Sequence, residues 1–229
     1  MGCVTRIGVL NYPTVMKIVI FLGAPGSGKG TIANRLAKAH AACHVSSGDL
    51  LRDAVRRHTP AGVEAECYMH RGELVPDAII GQMIGDYLDG VTDGRTVLLD
   101  GFPRTVAQAK ILDAVTEHRD AELAAVVLLD VPDEIIVERI AGRRGCPKCG
   151  TGYHVKNIPP RVEGICDKCG AELVIRKDDN AETLNRRLAV YRAQTVPLVE
   201  FYSERGLLHR VDGVGLIEDI VRATRRAWA

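Results

Sequence analysis

The sequence predicts an α/β fold, a doubly wound parallel sheet of five strands with helices on both faces. Three observations support this prediction. The apolar run at residues 17–22 is typical of a strand buried on both faces of a parallel sheet. Apolar residues follow at helical spacing, at Ile32, Ala33, Leu36 and Ala37. The same alternation of strand and helix then recurs along all 229 residues, and a 46% hydrophobic content is ample for a core.

The remaining elements are predicted in chain order. Strands are expected at residues 44–46, 96–99, 124–129 and 207–211. Helices are expected from Ser47, at 62–71 and 77–88, from Pro132, from 181 to about 197, and at 216–228. Either Ser47 or Asp49 can cap the first of these helices. Folds of this class bind their ligands at the carboxyl ends of the strands.

A glycine-rich loop joins the first strand to the first helix. Its glycines are Gly23, Gly26, Gly28 and Gly30, around Lys29 and before Thr31. Glycines allow the backbone amides to converge on phosphate oxygens at a helix N-terminus. The spacing fits GxxxxGK, but Gly30 stands where Ser or Thr is usual, so the hydroxyl arrives one position later. A plain turn would explain one or two glycines, whereas this pattern predicts a nucleotide site.

The net charge of +1 gives no field that favours nucleic acid or membrane partners. The longest apolar run is well short of the ~20 residues that a transmembrane helix needs. Residues 1–16 lack the features of a signal peptide and are expected to be a disordered extension, with Met16 as an alternative start of translation. A soluble, cytoplasmic protein is therefore predicted.

Two CxxC pairs form a second strong signal. They are Cys146 with Cys149 and Cys166 with Cys169, each followed by glycine. This arrangement predicts four thiolates around one tetrahedral zinc ion, with no open position for water, so the metal is structural. Two disulfides, or iron in place of zinc, are the alternatives. The absence of a secretion signal and the additional cysteines Cys3, Cys43 and Cys67 favour a reduced protein.

Six motifs occur in order along the chain: GAPGSGKGT, SSGDLLR, DGFPRT, GRR at 142–144, YHVKNIPPRVEG at 153–164 and RKDD at 176–179. Together they resemble the adenylate kinases of the long form, whose lid binds zinc through four cysteines. The resemblance implies the P-loop nucleoside monophosphate kinase fold and the reversible reaction ATP + AMP = 2 ADP, with Mg²⁺ and structural Zn²⁺. It also implies a core domain (17–45, 76–141 and 180–229), an AMP-binding insertion (46–75) and a zinc-ribbon-like lid (142–179).

The resemblance also assigns site residues. It implies catalytic roles for Lys29, Asp100, Arg104, Arg139, Arg143, Arg176, Asp178, Asp179 and Arg187. It places ATP at Gly26, Ser27, Gly28, Lys29, Gly30, Thr31, Arg139, Arg143, Gly152, Tyr153 and Gly215. It places AMP at Ser47, Arg52, Glu73, Leu74, Val75, Gly101, Phe102, Pro103, Arg104, Gln108, Arg176 and Arg187. Guanidinium groups suit phosphate because their planar fork binds it at two points.

Individual roles follow from the same resemblance. Asp100 resembles the carboxylate that holds magnesium through water, and Arg139 is expected over the donor adenine. Asp178 and Asp179 resemble lid residues that pair with arginines on closure.

The acceptor base is indicated by two positions. Ser47 stands where adenylate kinases usually have Thr, and Gln108 stands where the related UMP/CMP kinases have Asn. An amide can donate to and accept from the adenine edge, which favours AMP. A UMP/CMP kinase or a GTP:AMP phosphotransferase remains the alternative, since donor-base contacts in this family are largely to the backbone.

A different class is also open: a zinc-ribbon P-loop NTPase that acts on nucleic acid, or a nucleotide switch. Near-neutral charge and 4% aromatic content disfavour the first, and the second leaves the DGFPRT motif and Gln108 without a role. A monomer is expected, because one chain supplies all the assigned arginines.

Overall fold

The structure, a computed structural model, describes residues 15–91, 94–176 and 178–228. Its strands are β1 (Met16–Leu22), β2 (Cys43–Ser46), β3 (Val97–Asp100), β4 (Ala121–Asp130), β5 (Arg143–Gly145), β6 (Gly152–His154) and β7 (Leu208–Asp212). Five of them form one sheet in the order β2-β3-β1-β4-β7, and all neighbouring pairs are parallel. The predicted fold class is confirmed.

Helices alternate with the strands. They are α1 (Lys29–His40), α2 (Ser47–Arg56), α3 (Pro60–Arg71), α4 (Asp77–Asp89), α5 (Val106–Glu117), α6 (Asp133–Ala141), α7 (Ala181–Val190), α8 (Pro197–Glu204) and α9 (Ile217–Arg225). The sequence analysis did not predict α5, which Thr105 caps by accepting a 3.0 Å hydrogen bond from Gln108 N. Across the described ranges, no helix combines the length and the apolar character needed to cross a membrane.

Strand β1 lies at the centre of the sheet and is buried on both faces. Ile18 and Ile20 pack on one side, together with apolar residues of α4, α5 and α8. Val19 and Phe21 pack on the other side, against α1 and α9. This two-sided burial explains why the strand is a continuous apolar run instead of an alternating one.

The first strand begins one residue earlier than predicted. Met16 is buried in β1, and its N–H donates a 2.7 Å hydrogen bond to Asp120 O. Met16 therefore belongs to the sheet and not to the extension. Residues 1–14 of that predicted extension lie outside the described residues.

The helix expected from 181 to about 197 is longer and has three parts. A π-helical turn at residues 191–195 joins α7 to α8, and α8 continues to Glu204. Pro197 was read as the end of the helix, but it occupies the first turn of α8. Proline is tolerated there because that position has no intrahelical N–H partner to lose.

The N-terminus of α2 is capped by a residue that the sequence analysis did not choose. Ser46 Oγ accepts a 3.3 Å hydrogen bond from Asp49 N, so the expected cap at Ser47 or Asp49 is wrong. The Ser47 hydroxyl instead donates a 2.7 Å hydrogen bond to Gly101 O. This contact turns Ser47 towards the carboxyl end of β3.

Residues 142–179, the predicted lid, have a sheet of their own. Strands β5 and β6 pair antiparallel, and Gly145 forms a further bridge with Val174. A small core of Cys146, Tyr153, Cys166 and Leu173 lies between these segments. Such a core is too small to hold the segment by hydrophobic burial alone.

Candidate active site

The glycine loop wraps around the end of the Lys29 side chain. Gly23, Gly26 and Gly28 all have positive φ angles, of 142°, 87° and 99°, which favour glycine. Lys29 Nζ donates hydrogen bonds to Gly23 O at 2.7 Å and to Ala24 O at 2.9 Å. The ammonium group is therefore held at the mouth of the loop, beside the N-terminus of α1.

The environment of Lys29 weakens its hold on the proton. Removal of the side chain from bulk water lowers the pKa of Lys29 to about 8, although the negative charge of Asp100 partly opposes this shift. Arg104, Arg187 and Arg143 add repulsion in the same direction as burial. An anion bound here would reverse these effects by favouring the charged form.

Asp100, at the end of β3, faces Gly30 across the site. A Cβ atom added to Gly30 would lie 3.0 Å from Asp100 Oδ2, closer than such atoms normally approach. This contact explains why glycine occupies the position where GxxxxGK motifs usually continue with Ser or Thr. Burial alone would raise the pKa of Asp100, but His44 and Lys29 hold it below its usual value. His44 Nε2 lies 3.8 Å from Asp100 Oδ2.

Six cationic side chains from separate parts of the chain lie close enough to affect one another's charge. They are Lys29 on α1, Arg52 on α2, Arg104 after β3, Arg143 on β5, Arg176 in the lid and Arg187 on α7. Burial and repulsion from Arg187 lower the pKa of Arg104 to about 10. Burial and repulsion from Arg52 likewise lower the pKa of Arg176 to about 10. Such mutual repulsion would be relieved by a polyanion.

Two acids of the lid segment lie among these cations. Asp178 Oδ2 accepts a 3.1 Å hydrogen bond from Arg187, and Asp179 Oδ1 accepts one of 3.2 Å from Arg143. The Asp179 side chain is 0% exposed. Each acid thus holds one guanidinium group in place, and α7 and the lid are joined through them.

Gly101 O anchors the acceptor side of the site. It accepts hydrogen bonds from Ser47 Oγ at 2.7 Å and from Arg104 Nε at 2.8 Å. Gly101 has a φ angle of 77°, and a Cβ there would lie 2.7 Å from Ser47 Oγ. Glycine is required at this position because both the backbone and the neighbouring hydroxyl exclude a side chain.

A cavity opens beside Gly101, between the core and α2. Nine of the residues predicted to bind AMP line it: Ser47, Arg52, Glu73, Leu74, Val75, Gly101, Arg104, Gln108 and Arg187. Leu51, Met69, Gly72, Ile80 and Asp178 complete the lining and were not predicted for this role. Phe102, Pro103 and Arg176, which were predicted, are not part of the lining. Phe102 is instead buried in the core.

Gln108 lines the cavity and is 2% exposed. Its Oε1 accepts a 2.8 Å hydrogen bond from Arg104 N. Its Nε2 donates a 2.8 Å hydrogen bond to Asp77 Oδ1. The amide is therefore held by one partner on each side.

Arg139 lies on the opposite side of the glycine loop from this cavity. Its guanidinium donates to Ser27 O at 2.8 Å and to Gly213 O at 2.7 Å. It therefore links the loop to the segment after β7. Gly152 and Gly215 have open space beside their Cα atoms, so the backbone there is accessible. The Tyr153 side chain is buried in the lid, where its hydroxyl accepts a 2.8 Å hydrogen bond from Asp167 N.

The four predicted metal ligands form one cluster. The Sγ atoms of Cys146, Cys149, Cys166 and Cys169 all lie within 4.8 Å of one another. Zinc–sulfur bonds of about 2.3 Å in a tetrahedron hold sulfurs about 3.8 Å apart, which these positions fit. Cys146 Sγ lies 3.4 Å from Cys169 Sγ, and Cys149 Sγ lies 3.5 Å from Cys166 Sγ, both far longer than a disulfide bond of about 2.05 Å. The alternative of two disulfides is therefore contradicted, as all four cysteines are free.

The two cysteine pairs share one backbone conformation. Gly150 N donates to Cys146 O at 3.0 Å, and Gly170 N donates to Cys166 O at 2.9 Å. Both glycines have left-handed φ angles, of 74° and 69°. Each turn thus presents its two thiols to the same point, which explains the glycine after each CxxC.

Comparison with known proteins agrees with this geometry. A family model described as adenylate kinase matches residues 21–207, most of the chain. The chain belongs to the adenylate kinase family. Members of this family are nucleoside monophosphate kinases, so the chain is a phosphotransferase of that class.

Adenylate kinases from three bacteria illustrate the extent of the similarity. The chain is 45% identical over 212 residues to that of Carboxydothermus hydrogenoformans, which covers 93% of this chain and 99% of the relative. It is 48% identical over 206 residues to that of Novosphingobium aromaticivorans, with coverage of 90% and 95%. It is 47% identical over 207 residues to that of Clostridium beijerinckii, with the same coverage.

Three contacts in this adenylate kinase site had no signal in the sequence analysis. His44 approaches Asp100 only because β2 and β3 pair in register. Asp77 opens α4, where an acidic residue is ordinary, and only the fold brings it to Gln108. The apolar lining by Leu51, Met69 and Ile80 follows helical spacing, which resembles any core-facing stripe.

Proposed function

We propose that this chain transfers the γ-phosphoryl group of MgATP to AMP and so interconverts ATP + AMP with two ADP. One observation carries the proposal: six cations from the core, the AMP-binding insertion and the lid converge between the glycine loop and the cavity beside Gln108. Transfer between two nucleotides requires positive charge at the meeting point of their phosphates, and little covalent chemistry from the protein.

On the donor side, we assign ATP to the glycine loop. Its residues are Gly26, Ser27, Gly28, Lys29, Gly30 and Thr31, together with Arg139, Arg143, Gly152, Tyr153 and Gly215. The hydrogen bonds of Lys29 to loop carbonyls support this assignment, since they hold its charge at the loop mouth. Arg139 links the loop to Gly213, so the donor base is expected beside it. Tyr153 would contribute through its backbone, because its ring is buried in the lid.

On the acceptor side, we assign AMP to the cavity. Its predicted contacts are Ser47, Arg52, Glu73, Leu74, Val75, Gly101, Arg104, Gln108 and Arg187, with Arg176 closing from the lid and Phe102 and Pro103 shaping the backbone. Arg52, Arg104 and Arg187 offer a dense cluster of donors for the α phosphate. We assign Gln108 to the base, since it lines the cavity, is buried, and carries an amide that can both donate and accept.

The proposed magnesium position is at Asp100. A carboxylate oxygen is a preferred magnesium ligand, and the missing Cβ at Gly30 leaves space beside Asp100 Oδ2. Magnesium bound with ATP would neutralise charge on the phosphates during transfer. The chain's own contribution is to keep Asp100 ionised, through His44 and Lys29, and to hold it at the end of β3.

The proposed zinc site consists of Cys146, Cys149, Cys166 and Cys169. Four thiolates favour zinc, although iron can occupy the same set. A metal with all four positions filled by protein has a structural role. It would hold a segment whose own apolar core is small.

We propose that the insertion at 46–75 and the lid at 142–179 close over the substrates as separate domains. Closure would exclude water from the transferred phosphoryl group and hold Arg143 and Arg176 beside the cations of the core and of α2, as they lie here. The ion pairs of Arg187 with Asp178 and with Asp179 support this, because they link the lid to α7.

The chain is expected to work as a monomer in the cytoplasm, without nucleic acid or membrane partners. All the proposed substrate contacts come from one chain, and the near-neutral net charge of +1 gives no overall field that favours nucleic acid. Sedimentation of the active enzyme at one chain mass would support the monomer, and a stable dimer under assay conditions would overturn it.

The proposal is tested by ADP formation from MgATP with AMP, CMP, UMP or GMP, and with no acceptor. Turnover that requires AMP supports it. Turnover with pyrimidine acceptors would favour a UMP/CMP kinase, and ADP formation without an acceptor would favour the NTPase class. Replacing ATP with GTP in the same assay distinguishes the GTP:AMP alternative.

A further inference from the structure

The Gln108 amide can occupy its position in only one orientation. Arg104 N is a donor without acceptor capacity, and it lies 2.8 Å from Oε1. The Asp77 carboxylate is an acceptor when ionised, and it lies 2.8 Å from Nε2. Rotating the amide by half a turn would place its NH₂ against an N–H and its oxygen against a carboxylate. Both contacts would then be repulsive.

This arrangement leaves Gln108 with one free lone pair on Oε1 and one free N–H on Nε2. Since Gln108 lines the cavity, these two groups are the ones its amide can offer to a base there. Their order is fixed by the partners behind them. The AMP cavity therefore presents one hydrogen-bond acceptor and one hydrogen-bond donor in a fixed order. The amide does not turn to suit whichever base is bound.

The order of these groups distinguishes two classes of base. Adenine offers a donor at its 6-amino group and an acceptor at N1. Hypoxanthine offers the reverse, an acceptor at O6 and a donor at N1–H, while the rest of the nucleotide is the same. A base that needs the reversed amide would meet the cost of rotating Gln108, and a buried mismatch of this kind is expensive.

We propose that Asp77 is a positioning residue that makes the acceptor site select amino purines over keto purines, by fixing the polarity of the Gln108 amide. The proposal deepens the proposed function and rests on AMP being the acceptor. Asp77 is not expected to touch the nucleotide. It acts from behind Gln108, and Arg104 N supports the same orientation from the other side.

The test compares kcat/KM for AMP with kcat/KM for IMP, the nucleotide of hypoxanthine, in wild type and in Asp77→Asn. An Asn side chain fills the same space but can present either an acceptor or a donor, so it lowers the cost of rotating Gln108. We expect kcat/KM for IMP to rise while that for AMP changes little, so that the AMP/IMP ratio falls on the order of tenfold. Asp77→Glu keeps an acceptor-only group and should retain the wild-type preference for AMP.

A matched control lies on the same helix. Asp86 Oδ1 accepts a 2.6 Å hydrogen bond from Gln82 Nε2 at the surface, so Asp86→Asn makes the same change to an exposed carboxylate–amide pair. Its AMP/IMP ratio should equal that of wild type. Because both acceptors are measured in one preparation, the fraction of correctly folded enzyme cancels from the ratio. Asp77→Ser, whose hydroxyl can also donate or accept, provides a second variant with the same expectation.

The outcomes separate the two levels of the argument. An unchanged AMP/IMP ratio in Asp77→Asn and Asp77→Ser, or an equal loss with both acceptors, would overturn the role of Asp77 and leave the proposed function intact. Failure of the wild type to use AMP would instead overturn the proposed function itself. A gain with IMP supports the proposal, since a purely structural defect would not improve any acceptor.

Discussion

Arg56 Nη1 donates a 2.9 Å hydrogen bond to the main-chain carbonyl of Lys148. Arg56 ends α2 in the predicted AMP-binding insertion, and Lys148 lies between the two cysteines of the first CxxC turn. Residues 46–75 and 142–179, the two predicted insertions, therefore contact each other directly, and the first CxxC turn supplies the acceptor. Through this contact, the first CxxC turn of the cysteine cluster is connected to α2, which carries residues that line the AMP cavity.

Arg56→Ala should weaken closure of the two insertions on each other. We expect KM for AMP to rise about two- to threefold, since a half-exposed hydrogen bond contributes little more than this. Arg57→Ala is the control: Arg57 forms an ion pair with Asp53, as Arg56 does, but has no hydrogen bond or ion pair with the residues of 142–179 that the structure describes. Steady-state kinetics of both variants make the comparison. Equal effects of the two substitutions would show that the contact with Lys148 has no role in closure.

Lys29 should give the enzyme an alkaline limit to activity. Its pKa of about 8 means that the free enzyme keeps the positive charge below pH 8 and loses it above, so kcat/KM for ATP should fall as pH rises through that value. Bound phosphate favours the charged lysine, so kcat should stay level to higher pH. Lys29→Arg, whose charge persists, should lose this limb even if its rate is lower. A kcat/KM profile that is flat to pH 10 in wild type would contradict the assignment.

The same pKa shift fixes the sign of the effect of Lys29 on stability. The folded chain binds this proton more weakly than the unfolded chain, whose lysine has the ordinary pKa of 10.5. The contribution of Lys29 to the free energy of unfolding is therefore lowest below pH 8 and rises between pH 8 and 10.5. Urea unfolding of wild type and Lys29→Met across this range should show the difference in slope.

Gly30→Ala should impair the reaction through Asp100. The new Cβ would lie 3.0 Å from Asp100 Oδ2, so the carboxylate would have to shift by a few tenths of an ångström. We expect kcat to fall about tenfold or more, and the magnesium concentration for half-maximal rate to rise. Gly85→Ala is a suitable control, because its Cβ would come no closer than 3.9 Å to Arg119. Unchanged magnesium dependence in Gly30→Ala would separate Asp100 from the metal.

Removal of the metal should lower the melting temperature while leaving the activity measured at low temperature largely intact. The lid has a small core of its own, so chelation or Cys166→Ser should reduce Tm by several degrees, roughly 5–10 °C. Cys67→Ser changes an exposed cysteine outside the cluster and should leave Tm unaltered. Metal analysis should find about one zinc per chain in wild type. An unchanged Tm after verified removal of the metal would contradict a structural role.

The sequence contains strong local signals for the parts of the site that lie on one segment. The signals come from the glycine loop, the DGFPRT stretch and the two CxxC turns. Each depends on neighbours within a few residues, although Phe102 and Pro103 of the second do not line the cavity. Gly30 is the exception among them. A side chain at this position would crowd the Asp100 carboxylate. Asp100 is distant in sequence and comes close only through the parallel pairing of β1 and β3.

Contacts between distant segments left no such signal. Three such contacts form only once the sheet order and the position of the lid are set. They join Asp77 to Gln108, His44 to Asp100 and Arg56 to Lys148. An acidic residue at the start of a helix or an arginine at its end is common for reasons of helix stability alone. Their roles could therefore be assigned only from the folded chain.

The stoichiometry of the reaction shows whether the enzyme transfers the phosphoryl group of ATP to AMP. Equal amounts of ATP and AMP are incubated with the enzyme and Mg²⁺, and all three nucleotides and inorganic phosphate are quantified by chromatography over time. The proposed transfer predicts that two ADP appear for each AMP consumed, without release of phosphate. ADP that forms with an equal amount of phosphate, while AMP stays constant, would show hydrolysis and contradict the proposal.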